Sequence, residues 1–172
     1  MSSTSPTVSE STQEIGTLNG KLDKDSIWGD ELRRNSNKSK SLLCVFENIN
    51  GFGYEADSPK TGKIRELVNH HDIDCYMMAE LNTNWRIAEK KRSFEQTTKH
   101  WFEKQRANKA YNHFDRSGDK SLPGGTGIIS VGDLALRRFQ SGEDAKHLGR
   151  WSWQRFQGKQ GSTLRIVSVY FP

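Results

Sequence analysis

The order of elements along this chain predicts a mixed α/β (α+β) fold in which helices cover one face of a sheet. Three observations carry that expectation. Two short apolar runs, residues 42–46 (LLCVF) and 73–79 (IDCYMMA), bracket a segment of helical periodicity, and three further strand-like runs then follow one another.

Each element has a local reason. The run at 42–46 is continuous and apolar, which suits a strand buried on both faces, and Asn48, Asn50, Gly51 and Gly53 then mark an abrupt loop. Ile64, Leu67 and Val68 recur at i, i+3, i+4 spacing within 63–71, which places them on one helical face. The second run stops at Glu80. Residues 85–107 hold no Gly or Pro and many helix formers, with Ile87, Ala88, Phe94, Trp101 and Phe102 as apolar positions, so a helix is expected there. After the turn at Pro123, Gly124 and Gly125, strands are expected at 127–131 (GIISV), 151–156 and 164–170 (LRIVSVY). A Gly-rich turn around Gly158 and Gly161 separates the last two.

Composition divides the chain in two. With 33% hydrophobic residues, 27% charged residues and a mean hydropathy of −0.84, its 172 residues hold little core material. Much of the shortfall lies in residues 1–39, a Ser/Thr-rich and polar stretch in which Ile27 and Trp28 are the only anchor, so a disordered tail is expected before a folded part at 40–172. No apolar stretch is long enough for a bilayer span or a signal-peptide core, which makes an intracellular protein the expectation, nucleus or cytoplasm undecided. The Asn37-Lys38-Ser39 sequon matters only on a secretory route. Cys44 and Cys75 lie inside apolar runs, where cysteine behaves as a small buried hydrophobe, and no CxxC or paired His spacing accompanies them. His70 and His71 are adjacent and would diverge on a helix.

A net charge of +5 permits a polyanionic partner. The segment 86–109 alone nets +5, and Lys90, Lys91 and Arg92 lie in it with Trp101 and Phe102 close behind. Lys and Arg interleaved with aromatics could follow a phosphate backbone without sequence preference. A solvated helix face accounts for the same charges.

An Asn at the end of one strand and a Glu at the end of another supply amide and carboxylate oxygens suited to a hard cation, here Asn48 and Glu80. Taken singly, such residues are common turn formers and solvated charges. Four segments in order change that reading: Glu47-Asn48-Ile49-Asn50-Gly51, then Asp72-Ile73 through Glu80, then Gly124-Gly125-Thr126-Gly127, and finally Tyr170-Phe171-Pro172. Together they resemble the endonuclease/exonuclease/phosphatase superfamily over residues 40–172. The Leu148-Gly149-Arg150-Trp151 segment is similar to versions of that domain found in non-LTR retroelements.

The resemblance implies a partial four-layer αββα sandwich, the N-terminal half of a DNase I-like fold that takes roughly 250 residues when complete. It also implies a Mg2+-dependent phosphodiesterase (Mn2+ serving as well), in complete form a DNA endonuclease. By position, Asn48 and Glu80 would hold or orient the metal, Asn50 would support the first loop, and Tyr170 would direct its hydroxyl to the scissile phosphate. Arg150, with Lys90, Lys91 and Arg92, would contact nucleic acid. Ala79 stands where many members have Gln, Asn82 where several have a basic residue, and Glu47 in place of a large side chain. The family's later G-D-x-N and terminal S-D-H segments have no counterpart, since Gly132-Asp133-Leu134-Ala135 lacks the Asn and precedes the Tyr-x-Pro strand. Asp133 reads as a turn residue, and none of the histidines is nominated for catalysis. The expectation is therefore an enzyme fragment without turnover of its own, its parent supplying a C-terminal half or a reverse transcriptase domain. A noncatalytic nucleic-acid-binding or structural module and a phosphatase of the same fold are the alternatives. A single-sheet half-sandwich would also expose its inner face and aggregate.

Overall fold

The computed structural model describes residues 41–53, 58–88, 93–99 and 101–171. The expected tail at 1–39, and with it Ile27 and Trp28, lies outside these residues, as do Lys90, Lys91, Arg92 and His100. No described helix is long and apolar enough to cross a membrane.

The fold is mixed α+β with two sheets. β1 (Cys44–Asn48) is followed by α1 (Pro59–His70) and β2 (Cys75–Ala79), and β1 and β2 run parallel, as a crossover through a helix allows. Pro59 begins α1, where a missing N–H costs nothing, and Ile64 and Val68 are its buried apolar positions. The short helices α2 (Trp85–Ala88) and α3 (Phe94–Thr98) lead to β3 (Gln105–Ala110) and β4 (Thr126–Val131). The first sheet has the order β1-β2-β4-β3, with β4 antiparallel to both neighbours. After α4 (Gly132–Leu136), the strands β5 (Arg138–Glu143), β6 (Trp151–Gln157) and β7 (Thr163–Val169) form a three-stranded antiparallel sheet.

One face of the first sheet packs on helices and loops through Ile64, Val68, Tyr76, Met78, Trp85, Phe94 and Ile129. The opposite face meets the second sheet through Cys75, Ile128, Phe156 and Ile166, with Leu134 of α4 closing one end. Around that smaller apolar cluster the two sheets are joined by polar contacts. Ser168 Oγ donates to the Met78 carbonyl at 2.8 Å, and Gln154 Nε2 donates to Asn108 Oδ1 at 2.9 Å. Buried polar groups must be paired, so these bonds fix how one sheet lies over the other.

Four expectations change. The first sheet is not left bare: the chain's own second sheet covers it, so the predicted exposure of its inner face does not occur. The 85–107 helix does not run through: among the described residues only α2 and α3 are helical, and Gln105–Ala110 is a strand, because Ala107 and Ala110 are the buried positions of a strand that needs pairing with β4. Ser93 forms a capping box with Gln96 and so sets the start of α3. β1 is an exposed edge strand rather than a buried one, and Cys44 with it is exposed while Cys75 is buried. Asp133, expected in a turn, lies in the one-turn α4 that joins the two sheets.

Candidate functional site

Strand register brings Asn48, Glu80, Arg150 and Tyr170 to one rim. Asn48 pairs with Ala79, and Ala79 with Thr126, so the ends of β1 and β2 and the start of β4 are level. In the second sheet Trp151 pairs with Val169, which puts Tyr170 and Arg150 together, and the Tyr170 N–H donates to the Arg150 carbonyl at 2.7 Å. Thr126 Oγ1 donates to Ser152 Oγ at 3.1 Å, tying the two rims to each other. The ring of Tyr170 lies against Gly124, where a Cβ would stand 3.2 Å from it.

Two loops meet there. Asn48 Oδ1 accepts the Asn50 N–H at 3.1 Å, closing an Asx turn at the end of β1. The Glu80 carbonyl accepts the Gly51 N–H at 2.7 Å, and the Leu81 carbonyl accepts the Phe52 N–H at 2.7 Å. Lys60, from the first turn of α1, donates to the Ile49 carbonyl at 3.1 Å and steadies the same loop. Asn50, Glu80 and Asn82 all have positive φ, at 42°, 53° and 47°. For Glu that conformation is costly, since only Gly, Asn and Asp visit it routinely. Strain of this kind persists where the surroundings impose it, and it clusters at functional sites. The half-buried Glu80 carboxylate makes no hydrogen bond or ion pair with any described residue.

The residue that sequence reasoning missed is Asn82, read only as a departure from a basic side chain. Its Nδ2 donates to Asn50 Oδ1 at 3.2 Å and its Oδ1 accepts the Gly124 N–H at 2.8 Å. Its own N–H donates to the Gly124 carbonyl at 2.8 Å, so one amide side chain clamps the β1, β2 and β4 loops. The signal for it was Asn at a non-helical position three residues after a strand end, a type that tolerates left-handed backbone. Glu47 is also explained: it accepts the hydroxyl of buried Tyr76, and burial together with that bond pushes the phenol far above its ordinary pKa.

A second group on the rim had no place in the sequence reading. Glu143 Oε1 lies 3.2 Å from His113 Nε2 and 3.0 Å from His147 Nδ1, and together they form a set that could hold a metal ion. The last described part of the basic segment is a strand rather than the expected helix. Arg106 and Lys109 sit on β3, and the Lys109 ammonium lies 5.2 Å from the ring of Trp85, while Arg150 is exposed on the rim.

No protein-family model matches this chain, and a search of curated proteins finds no significant match.

Proposed function

We propose that this chain is the metal-binding half of a Mg2+-dependent phosphodiesterase with a DNase I-like sandwich, a DNA endonuclease in its complete form. The observation that carries the reading is the meeting of Asn48, Asn50, Glu80 and Tyr170, far apart in sequence, on one rim over a strained backbone. The donor set fits the ion: the Glu80 carboxylate and the Asn48 amide are hard oxygen ligands, too few for a closed cage, which suits an ion that keeps several waters. When bound, magnesium neutralises charge on the phosphate under attack. Asn82 and Asn50 hold the loop that presents Asn48, and the Tyr170 hydroxyl offers a hydrogen bond to a phosphate oxygen. Arg150 supplies positive charge on the same rim for a polynucleotide backbone.

Titration of the 172-residue chain with Mn2+ should broaden the amide resonances of residues 48–51, 80–82 and 124–125, and excess Mg2+ should restore them. Broadening that Glu80→Gln leaves intact would remove Glu80 from the metal site. A longer protein that joins this chain to G-D-x-N and S-D-H segments should nick plasmid and abasic DNA in magnesium. Its Glu80→Ala variant should lose about 100-fold or more, the scale on which removal of a charge-stabilising group acts.

A second reading, a noncatalytic nucleic-acid-binding module, is favoured by the outer face of the second sheet. There the Arg165 guanidinium lies 4.7 Å from the ring of Trp153 and that of Arg155 lies 5.3 Å from the ring of Phe139. Arginine and aromatic rings on a strand surface suit stacking on single-stranded bases. Salt-dependent quenching of tryptophan fluorescence by oligonucleotide, lost in Trp153→Ala and unchanged in Glu80→Gln, would select it.

A further inference from the structure

The histidine group lies on the same rim as the site above but at the opposite corner. Ala110, the last residue of β3, pairs with Thr126, and Glu143, the last residue of β5, pairs with Ser152, so the ends of β3 and β5 are level with the Thr126–Ser152 link. His113 follows β3, and His147 lies in the connection between β5 and β6. Two chain segments therefore meet, one contributing His113 and the other Glu143 and His147.

The corner is built rather than incidental. The backbone of residue 112 pairs with that of Leu148, and the His113 N–H donates to the His147 carbonyl at 3.0 Å. Asp144, 3% exposed, accepts the N–H groups of Leu148 at 2.8 Å and Arg150 at 2.9 Å and so closes the loop that carries His147. His147 itself has φ 52°, a conformation costly for a residue other than Gly. The imidazoles of His113 and His147 stack at 4.7 Å with 20° between their planes, and Tyr111 packs on His113 at 4.4 Å. The fold thus points two ring nitrogens at one carboxylate oxygen.

We propose that His113 Nε2, His147 Nδ1 and Glu143 Oε1 form a site for a divalent transition metal, zinc above all, with three protein ligands and a coordination position open to solvent. Bonds of about 2.0–2.2 Å in a tetrahedron place neighbouring donors about 3.3–3.6 Å apart. The two nitrogen–carboxylate separations, 3.2 and 3.0 Å, are a little shorter than that edge, and all three donor atoms lie within 4.8 Å of one another, so the donors spread slightly and the near-parallel rings turn for both lone pairs to meet the ion. Two imidazoles and one carboxylate select zinc over magnesium or calcium, which take oxygen ligands. In the metal-bound form each ligating nitrogen offers its lone pair, so each neutral ring carries its single proton on the other nitrogen, Nδ1 of His113 and Nε2 of His147. The side chains of His113, Glu143 and His147 are 36%, 23% and 49% exposed, so the ion can enter directly and a water can complete its shell. This site uses none of the residues of the proposed magnesium corner and stands or falls without it.

Calorimetric titration of the untagged, chelator-treated chain with Zn2+ should show one tight equivalent, and Co2+ should give the visible absorption of a tetrahedral ion. His147→Ala and Glu143→Gln should each weaken Zn2+ binding at least tenfold, while the double variant His70→Ala/His71→Ala, which removes the adjacent histidines at the C-terminal end of α1, keeps it. Circular dichroism of each variant reports whether it folds, and His147 lies on an exposed loop whose loss of an imidazole leaves the sheets intact. Absence of a tight equivalent in the natural chain overturns the proposal, as does binding that survives in folded His147→Ala or disappears with the His70/His71 pair.

Discussion

Two corners of one rim differ in the atoms they offer. The corner at β1, β2 and β7 presents oxygen, from Asn48, Glu80 and Tyr170, whereas the corner at β3 and β5 presents two imidazole nitrogens and one carboxylate. The first is held by backbone bonds between loops and by Asn82, the second by the buried carboxylate of Asp144. The same strand-end geometry thus gathers an oxygen-only set of side chains and a nitrogen-rich one within one small fold. What separates them is the side chains that the loops happen to carry.

That contrast can be broken one corner at a time. Asp144→Ala should have the largest effect, about 2–4 kcal/mol of stability, since it strands two N–H groups that now bond a buried carboxylate. Chemical denaturation checks the loss, and zinc affinity should fall with it while the Mn2+ broadening at residues 48–51 persists. Equal damage to both corners would show that they are one unit. Gly124→Ala acts on the other side: its φ of 86° and the 3.2 Å approach to Tyr170 predict a cost of about 1–2 kcal/mol. Mn2+ binding should weaken and zinc binding should not. The smallest effect belongs to Cys44, at the far end of β1 from Asn48. A hydrogen bond from Cys75 lowers its thiol pKa to about 7, because that bond favours the thiolate, while the same contact pushes Cys75 up. Alkylation of Cys44 should therefore rise with pH to half its maximum near 7, Cys75 should resist, and Cys75→Ala should move the midpoint upward. Neither proposed metal corner should respond.

The oxygen corner could be anticipated because its residues are the ends of strands. Asn48 comes two residues after one apolar run, Glu80 directly follows another and Tyr170 ends a third, so their position along each strand already specifies their height on the sheet. The histidine corner carried no such sign. His113 is thirty positions from Glu143, and the Glu-x-x-x-His spacing of Glu143 and His147 suggests a helix, yet the pair lies across the end of a hairpin. Only the pairing of β3 with β4, and of β5 with β6, makes those three residues neighbours.

The same division runs through the fold. Local apolar runs and helical spacing determined β1, α1, β2, β4, β6 and β7, because hydrophobic periodicity acts within a few residues. They did not determine β3, whose sequence QRANKA has the propensity of a helix and becomes a strand by pairing with β4. Nor did they decide which face of β6 turns inward. Hydropathy would bury Trp151 and Trp153, yet Ser152, Gln154 and Phe156 are the buried residues, with Gln154 Nε2 bonded to Asn108 Oδ1 across the sheets. A face is chosen by what lies opposite it, and that partner is supplied by residues far away in the chain.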